Sequence, residues 1–284
     1  LNWQGSVAVV TGAASGIGRA SAVRFAQEGC DVIVSDINDA DGKEVVAQIE
    51  DLGRKALYVH TDVAERTEME DLVAAAIDWQ GHVDLFHSNA GIGMGGAPQA
   101  IPVEEWEKVL DINLHSHIWT IRKLLPHMLE RGSGHLVHTA SSAGTLGFAM
   151  LIPYCVTKFG VVGLCESLAT YVIDRGLGVH VVCPLLVNTN IFDRSWNYPE
   201  DGAESFDDKY QDQVRTIFRE AGMAPEGVAA SIVEAVNANR LYVFPHPELK
   251  QMIDAKWADP DEFVRNAAAQ WKMQQEAAKA LASQ

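Results

Sequence analysis

Ser6-Val7-Ala8-Val9-Val10, running into Thr11-Gly12-Ala13-Ala14-Ser15-Gly16-Ile17-Gly18, decides how this 284-residue chain is read. The first five residues are a short, valine-rich run of strand type. Beyond Gly18, the segment 19–28 places Ala22, Val23, Phe25 and Ala26 at helical spacing. Strand, glycine turn and helix come in direct succession. Glycines at 12, 16 and 18 let backbone approach backbone, and the free amides at a helix N-terminus attract an anion such as a pyrophosphate. A tight turn that holds no ligand is the plain alternative at this point.

The pattern repeats outward. Residues 31–35 form a second strand, and Asp36 follows it eighteen residues beyond Gly18 (36 − 18 = 18). A carboxylate there can accept from both hydroxyls of an adenosine ribose and would repel a 2′-phosphate, which favours NAD over NADP. Ala14, Ser15, Ile37 and Asn38 supply no base to hold that phosphate. A strand-end aspartate serving only its own turn is the ordinary alternative. Residues 39–52 read as an amphipathic helix and 56–60 as a third strand running into Asp62-Val63. The next helix, 67–79, is expected to open on Thr67 with Glu70 as a capping box. A fourth strand, 83–87, ends in Ser88-Asn89-Ala90-Gly91 and a glycine-rich loop at 93–98, expected to be mobile. A long helix over 103–131 contains Asn113 near its middle, a mediocre helix former there, and Pro126 near its end. A fifth strand at 135–139 precedes Ser141 and Ser142, a helix carries Tyr154 to about residue 174, and a sixth strand spans 178–183. Strands alternating with helices imply a parallel sheet covered on both faces, with ligands at the carboxyl ends of the strands.

The chemistry is read in Tyr154-Cys155-Val156-Thr157-Lys158, with Ser141 thirteen positions before the tyrosine (154 − 141 = 13). Residues four apart on a helix face the same way, so an ammonium can sit near a phenol oxygen. Bringing a tyrosine from about 10 to neutral pH needs roughly 4 kcal/mol of differential stabilisation. One cation at about 4 Å supplies roughly that much at an effective dielectric constant of about 20, and a second positive charge would add to it. Alone the motif is common on amphipathic helices.

Composition removes other classes. The formal charge of −16 disfavours nucleic acid and anionic membrane surfaces. Cys30, Cys155, Cys165 and Cys183 fit no zinc template and sit in apolar stretches, so no metal is expected. No apolar run of membrane-spanning length stands out and no secretory signal is visible, so a cytoplasmic protein with a small-molecule partner is expected.

Thr11-Gly-x-x-x-Gly-x-Gly18, Asp62, Asn89-Ala-Gly91, Asn113, Ser141 and Tyr154-x-x-x-Lys158, in this order, resemble the short-chain dehydrogenase/reductase family over roughly residues 5–245. The resemblance implies an α/β, Rossmann-type, doubly wound seven-stranded parallel sheet in the order 3-2-1-4-5-6-7, the last strand being 241–245. It implies one dinucleotide-binding catalytic domain over 1–245, a substrate lid at about 189–224, a helical extension over 246–284, and a homodimer or homotetramer. By resemblance Tyr154 is the general acid/base, Lys158 lowers its pKa and holds the nicotinamide ribose, and Ser141 positions the substrate oxygen. Asn113 would kink its helix and hold a water linked to Lys158. Gly12, Gly16, Ile17 and Gly18 would cradle the pyrophosphate of NAD, Asp36 the adenosine ribose, and Asp62 with Val63 the adenine. Asn89, Ala90 and Gly91 would line the cleft, and Val187 and Thr189 would meet the carboxamide. Ser142, Thr145, Leu146, Phe148, Ile152, Leu185, Leu186, Ile191, Phe192 and Trp196 fall in segments that wall the family's substrate pocket, with Arg194 the nearest base. This pattern suits an uncharged, largely apolar secondary alcohol or ketone, aromatic or alicyclic.

Two departures stand out. Leu185 occupies the place of the family's usual glycine in Pro184-Leu185-Leu186-Val187-Asn188-Thr189, and a conformation open only to glycine would force that loop to change. Beyond Pro245 the chain continues, with Pro260 opening a helix whose Phe263, Val264, Ala267, Trp271, Ala278 and Leu281 form an intermittent apolar stripe. An NADPH-dependent 3-oxoacyl thioester reductase shares the motifs, but six carboxylates between Glu200 and Asp212 against Lys209 alone oppose an acidic carrier. A catalytically silent NAD-binding sensor is opposed by the intact Ser141, Tyr154 and Lys158.

Overall fold

The valine-rich run forms β1 (Val7–Thr11), buried along its whole length. In the computed structural model, which describes residues 1–191, 197–198 and 208–282, it is an interior strand, third from one edge, of a seven-stranded sheet. The other strands are β2 (Asp31–Asp36), β3 (Ala56–His60), β4 (Leu85–Ser88), β5 (Gly134–Thr139), β6 (Leu177–Val182) and β7 (Tyr242–Val243). Every pairing is parallel, and the order is β3-β2-β1-β4-β5-β6-β7. The order reverses between β1 and β4, where connections leave toward opposite faces and a crevice opens at the strands' carboxyl ends.

Alternation along the strands divides the core. Ala8 and Val10 of β1 pack with Phe25 of α1 (Gly16–Glu28), Ile49 of α2 (Asp39–Asp51) and Ile232 of the eighth helix, Pro225–Asn237. Val9 turns to the other face, with Leu72 of α3 (Arg66–Gln80), Leu124 of the Ser116–Arg131 helix and Val161 of the Ile152–Val172 helix. Period two on the strands and helical period on their covers account for both layers.

The helical run over 103–131 is not uniform. α4 (Val103–Leu110) passes into a π-turn over Asp111–His115 and resumes as α5 (Ser116–Arg131), with Asn113 inside the π-turn and Pro126 tolerated within α5. α3 starts one residue before the expected capping box. Its N-cap is Glu65, which makes no side-chain cap bond, and Glu68 instead accepts from the Asp62 amide at 2.7 Å. The loop expected to be mobile at 93–98 places Gly95–Gly96 in parallel pairing with Asn197–Tyr198.

α6 (Ile152–Val172) is long and apolar enough to cross a membrane, yet Val161, Cys165 and Leu168 bury it against the sheet. α7 (Asp208–Ala221) and α8 (Pro225–Asn237) come after β6, and α9 (Glu248–Ala258) and α10 (Pro260–Ala282) after β7. Along α10, Phe263 packs on the core while Val264 is exposed, so only part of the expected stripe is covered by this chain. The four cysteines are free and buried.

Candidate active site

Close backbone contacts shape the glycine turn. Gly12 has φ +63°, and a Cβ there would lie 2.8 Å from the Ala90 Cα, so the β1 and β4 ends come together only over a bare glycine. At Gly18 a Cβ would meet the Gly12 carbonyl oxygen at 2.0 Å, which lets α1 start directly on the strand end. Ser15 at its N-cap is extended and makes no side-chain cap bond, and the first turn of α1 has no acidic residue. The first amides of α1 therefore face the crevice without a capping side chain. Thr189 lies across from this turn, its Cγ2 3.1 Å from where a Gly16 Cβ would stand. A groove of about 330 Å³ runs along the outer flank of the turn between Gly16, Arg19, Asn188, Thr189 and Pro225; neither Ser141 nor Tyr154 lines it.

Asp36 reaches back to the same turn. One carboxylate oxygen accepts from the Ala14 amide and the other from the Asn38 amide, each at 2.9 Å. Each oxygen keeps a second lone pair, so the turn-holding role and a ribose-binding role are compatible. Tyr58, which no sequence motif marks, donates to the Asp36 carbonyl at 2.7 Å. Asp62 accepts from the Ala64 amide at 2.9 Å, and Val63 is buried in the core beside it. Asn89 staples three strands: its amide nitrogens contact Thr11 Oγ1 and the Thr11 carbonyl, and its Oδ1 accepts from Thr139 Oγ1 at 3.1 Å. Ala90 N also donates to Thr11 Oγ1, at 3.2 Å. Thr11 opens the glycine motif, whereas Thr139 does not stand out in the sequence as a support, because a strand-end threonine carries no pattern of its own.

The central group lies deeper. Ser141 caps the short 3₁₀ turn Ser142–Gly144 and accepts from the Ala143 amide at 3.1 Å. Its side chain lies on the Tyr154 side of the turn, where it favours the ionised phenol. Tyr154 and Lys158 project from α6 on one face, with the Lys158 Nζ 5.5 Å from the Tyr154 ring centre. That ammonium donates to the Thr139 carbonyl at 2.9 Å. A Cβ on Gly91 would stand 3.5 Å from Nζ, which puts the end of β4 beside the lysine. Asn113 is fully buried; its Oδ1 accepts from the Ile92 amide and its Nδ2 donates to the Ile92 carbonyl, each at 2.9 Å. The expected kink is thus the π-turn, and the side chain holds the strand-end loop in register with it.

Burial dominates the electrostatics. It pushes the Tyr154 phenol up to about 12, only partly offset by the Ser141 side chain, and it pulls the Lys158 ammonium down to about 8. The expectation that Lys158 would lower the tyrosine is not met in the chain alone: Nζ is engaged by Thr139, and desolvation of the phenolate is the larger effect. A further positive charge beside the phenol is what this site lacks for tyrosine ionisation near neutral pH.

The wall residues divide. Leu146 is 2% exposed and packs within the core, because its amide folds back to the Ser142 carbonyl at 2.8 Å. It is not a wall residue here. Ser142 is buried with its amide on the Pro184 carbonyl, and Thr145 turns its hydroxyl onto the Ser142 carbonyl. Ile191 packs with Leu151 on the small cluster of Ala143, Tyr154 and Cys155, and Ile152 and Leu186 are half-buried. Phe148 is exposed. Leu185 does not adopt a positive φ, and it packs on the core, so the loop accommodates it without the strain its position suggested. Its amide donates to His246 Nδ1 at 3.2 Å and His246 Nε2 donates to the Leu186 carbonyl at 3.1 Å, a clip from beyond β7 that no motif announces. Val187 is buried and bridges to Met223. Phe192, Arg194, Trp196, Glu200, Asp201, Glu204 and Asp207 lie outside the described residues.

The family model described as short chain dehydrogenase matches residues 6–199. A (-)-trans-carveol dehydrogenase of Rhodococcus erythropolis is 34% identical over 256 residues, covering 85% of this chain and 90% of its own length. A cyclohexanol dehydrogenase of Acinetobacter sp. (strain SE19) is 36% identical over 184 residues, 64% of this chain and 73% of its own. The crystal structure of a short chain dehydrogenase/reductase from Burkholderia phymatum in complex with NAD matches with a TM-score of 0.83 at 29% identity, covering 92% of this chain and 96% of that one.

Proposed function

This chain belongs to the short-chain dehydrogenase family, and from that premise we propose that it is an NAD-dependent oxidoreductase interconverting a secondary alcohol and a ketone on an uncharged, largely apolar small molecule. The observation that carries the reading is the buried group of Ser141, Tyr154 and Lys158 at the carboxyl ends of the strands, beside a glycine turn that holds Asp36. Two relatives act, by their names, on carveol and cyclohexanol, both ring-borne secondary alcohols.

The residues fit a dinucleotide. Gly12 and Gly18 leave room at the turn, the uncapped start of α1 offers amides to a pyrophosphate, and Asp36 presents lone pairs to an adenosine ribose. When bound, the nicotinamide supplies hydride acceptance or donation, and in its oxidised form a positive charge. Tyr154 takes the hydroxyl proton in oxidation and returns it in reduction. Ser141, fixed by Ala143 and neighbouring Tyr154, hydrogen-bonds the oxygen on which charge develops. Lys158, held by Thr139 and free of any carboxylate partner among the described residues, is placed to bias the phenol once a second cation joins it.

The decisive experiment is Tyr154→Phe. Turnover should fall by roughly 10²–10⁴-fold while NADH binding, followed by fluorescence titration, stays near that of the parent, because only the transferable proton is removed. A phenylalanine variant with substantial turnover would refute the assignment.

A further inference from the structure

No sequence motif assigns the C-terminal helices a task beyond packing. α9 is anchored on the core by Leu249, fully buried, and by Ile253, with Phe263 of α10 beside them. From that helix Lys256 reaches across 111 positions of sequence and donates from Nζ to the Thr145 carbonyl at 2.6 Å. The ammonium lies 5.0 Å from the ring centres of both Phe159 and Trp257, so the carbonyl bond is made from a shelf of two aromatic faces.

Thr145 ends the turn that Ser141 begins. Its amide and its hydroxyl both donate to the Ser142 carbonyl at 2.9 Å. The opposite end is held by the Ser142 amide on the Pro184 carbonyl at 2.8 Å. Between them Gly144 rests on α6, where a Cβ would stand 2.6 Å from the Lys158 carbonyl oxygen. A cation donating to a carbonyl makes a shorter and stronger bond than a neutral amide does, and here it is the charged contact on a turn otherwise held by neutral ones.

We propose that Lys256 is a positioning residue for the reaction: by holding the Thr145 carbonyl it fixes the turn that carries Ser141, and so sets the Ser141 hydroxyl against Tyr154. The C-terminal helices are then part of the apparatus that aligns the substrate oxygen. The inference rests on the catalytic reading of Ser141 and Tyr154. Misplacement of a contacting group by about 1 Å is enough to cost as much as 10²-fold in rate, so a turn left loose at one end matters.

The test uses the full chain, NAD, and cyclohexanol or the fastest neutral secondary alcohol of a panel. Lys256→Met keeps the apolar stem and removes the donor, and Lys256→Arg restores a donor able to stack on both rings. Lys256→Met should lower kcat roughly tenfold with NADH binding and thermal midpoint little changed, and Lys256→Arg should recover most of the loss. If the methionine variant does not fold, Lys256→Gln is read in its place. A kcat within about twofold of the parent, or a loss that follows the thermal midpoint and is not recovered by arginine, overturns the proposal. Ser141→Ala separates the two levels: if it retains turnover, the reading of Ser141 fails, and if it abolishes turnover while Lys256→Met does not, only the role of Lys256 fails.

Discussion

Lys158 Nζ donates to the carbonyl oxygen of Thr139 at 2.9 Å, from a side chain only 2% exposed, and no carboxylate among the described residues pairs with it. A buried ammonium held by one neutral carbonyl is an expensive arrangement, which explains why burial draws its pKa down to about 8. Destabilisation of this kind is tolerated where the group has work to do.

The cost should be visible in stability. Below pH 8 both folded and unfolded chains carry the proton, and the folded state bears the whole penalty. Between about 8 and 10.5 the unfolded chain holds more protons than the folded one, so stability from this group rises with pH across that window. The full penalty is on the order of 3 kcal/mol. Lys158→Met removes it but leaves the Thr139 oxygen without a partner, a loss of about 1–3 kcal/mol. The trend is therefore more telling than the offset: the stability of the methionine variant relative to the parent should be highest at pH 6–7.5 and decline as pH rises from 8 to 10.5. Urea midpoints at half-unit intervals measure it, and a difference that does not change with pH would show that Lys158 is not desolvated as described.

Asp36 has two tasks that substitution can separate. Its oxygens accept from the Ala14 and Asn38 amides, and in the proposed cofactor site its charge would repel a 2′-phosphate. Asp36→Asn removes the charge but keeps one acceptor, whereas Asp36→Ala removes the charge and both acceptors. Both should narrow the preference for NAD over NADP by roughly 10- to 100-fold in kcat/KM, since like-charge repulsion is its source. The alanine variant gives up both amide bonds and should lose about 1–3 kcal/mol of stability as well, and the asparagine variant, which gives up one and turns an NH2 toward that amide, should lose a smaller part of it. Steady-state kinetics with both cofactors, paired with thermal unfolding, gives both readings. A parent protein that prefers NADPH would overturn the cofactor assignment.

The strands and helices were legible because strand runs, glycine turns and helix stripes are local patterns, each with its own period, whereas the strand order came from the family resemblance. The expected strand at 56–60 coincides with β3, and the others differ by a residue or two at their ends. Where patterns were weak, the reading failed. α9 has no side-chain cap bond to mark its start, and in place of the capping box at Thr67 the Glu68 carboxylate accepts from the Asp62 amide. At the site, motif residues were legible and their supports were not. Thr139, His246 and Tyr58 act through contacts made across 19, 61 and 22 positions of sequence, respectively. The energetic sign at Tyr154 was also hidden, since burial of a side chain is a tertiary quantity. Leu185 shows the reverse error: a glycine expected from the family pattern is replaced without positive φ.

The substrate is where shape should govern. Leu185 and Leu186 are half-buried near the turn of Ser141, Ile191 packs on the cluster that contains Tyr154, and Phe148 stands exposed at the entrance of α6. In the proposed pocket polar contacts would come from Ser141, Tyr154 and Ser142, and the described residues assigned to its wall include no base able to meet a carboxylate or phosphate. Apolar walls with few directional groups discriminate by about 1–3 kcal/mol for each missing methylene-sized contact. Neutral alicyclic ketones of graded size should therefore be reduced with graded kcat/KM, changing by roughly 10- to 200-fold as one well-packed methylene is added or removed. Anionic carbonyls of matched size should be worse throughout, because a carboxylate brought against Leu185, Leu186 and Ile191 gives up hydration with nothing to replace it. NADH-linked kinetics over matched neutral and anionic pairs decides the matter, and hydroxy acids, sugar phosphates or acyl-CoA esters outrunning every neutral ketone would mean that these residues do not wall the pocket.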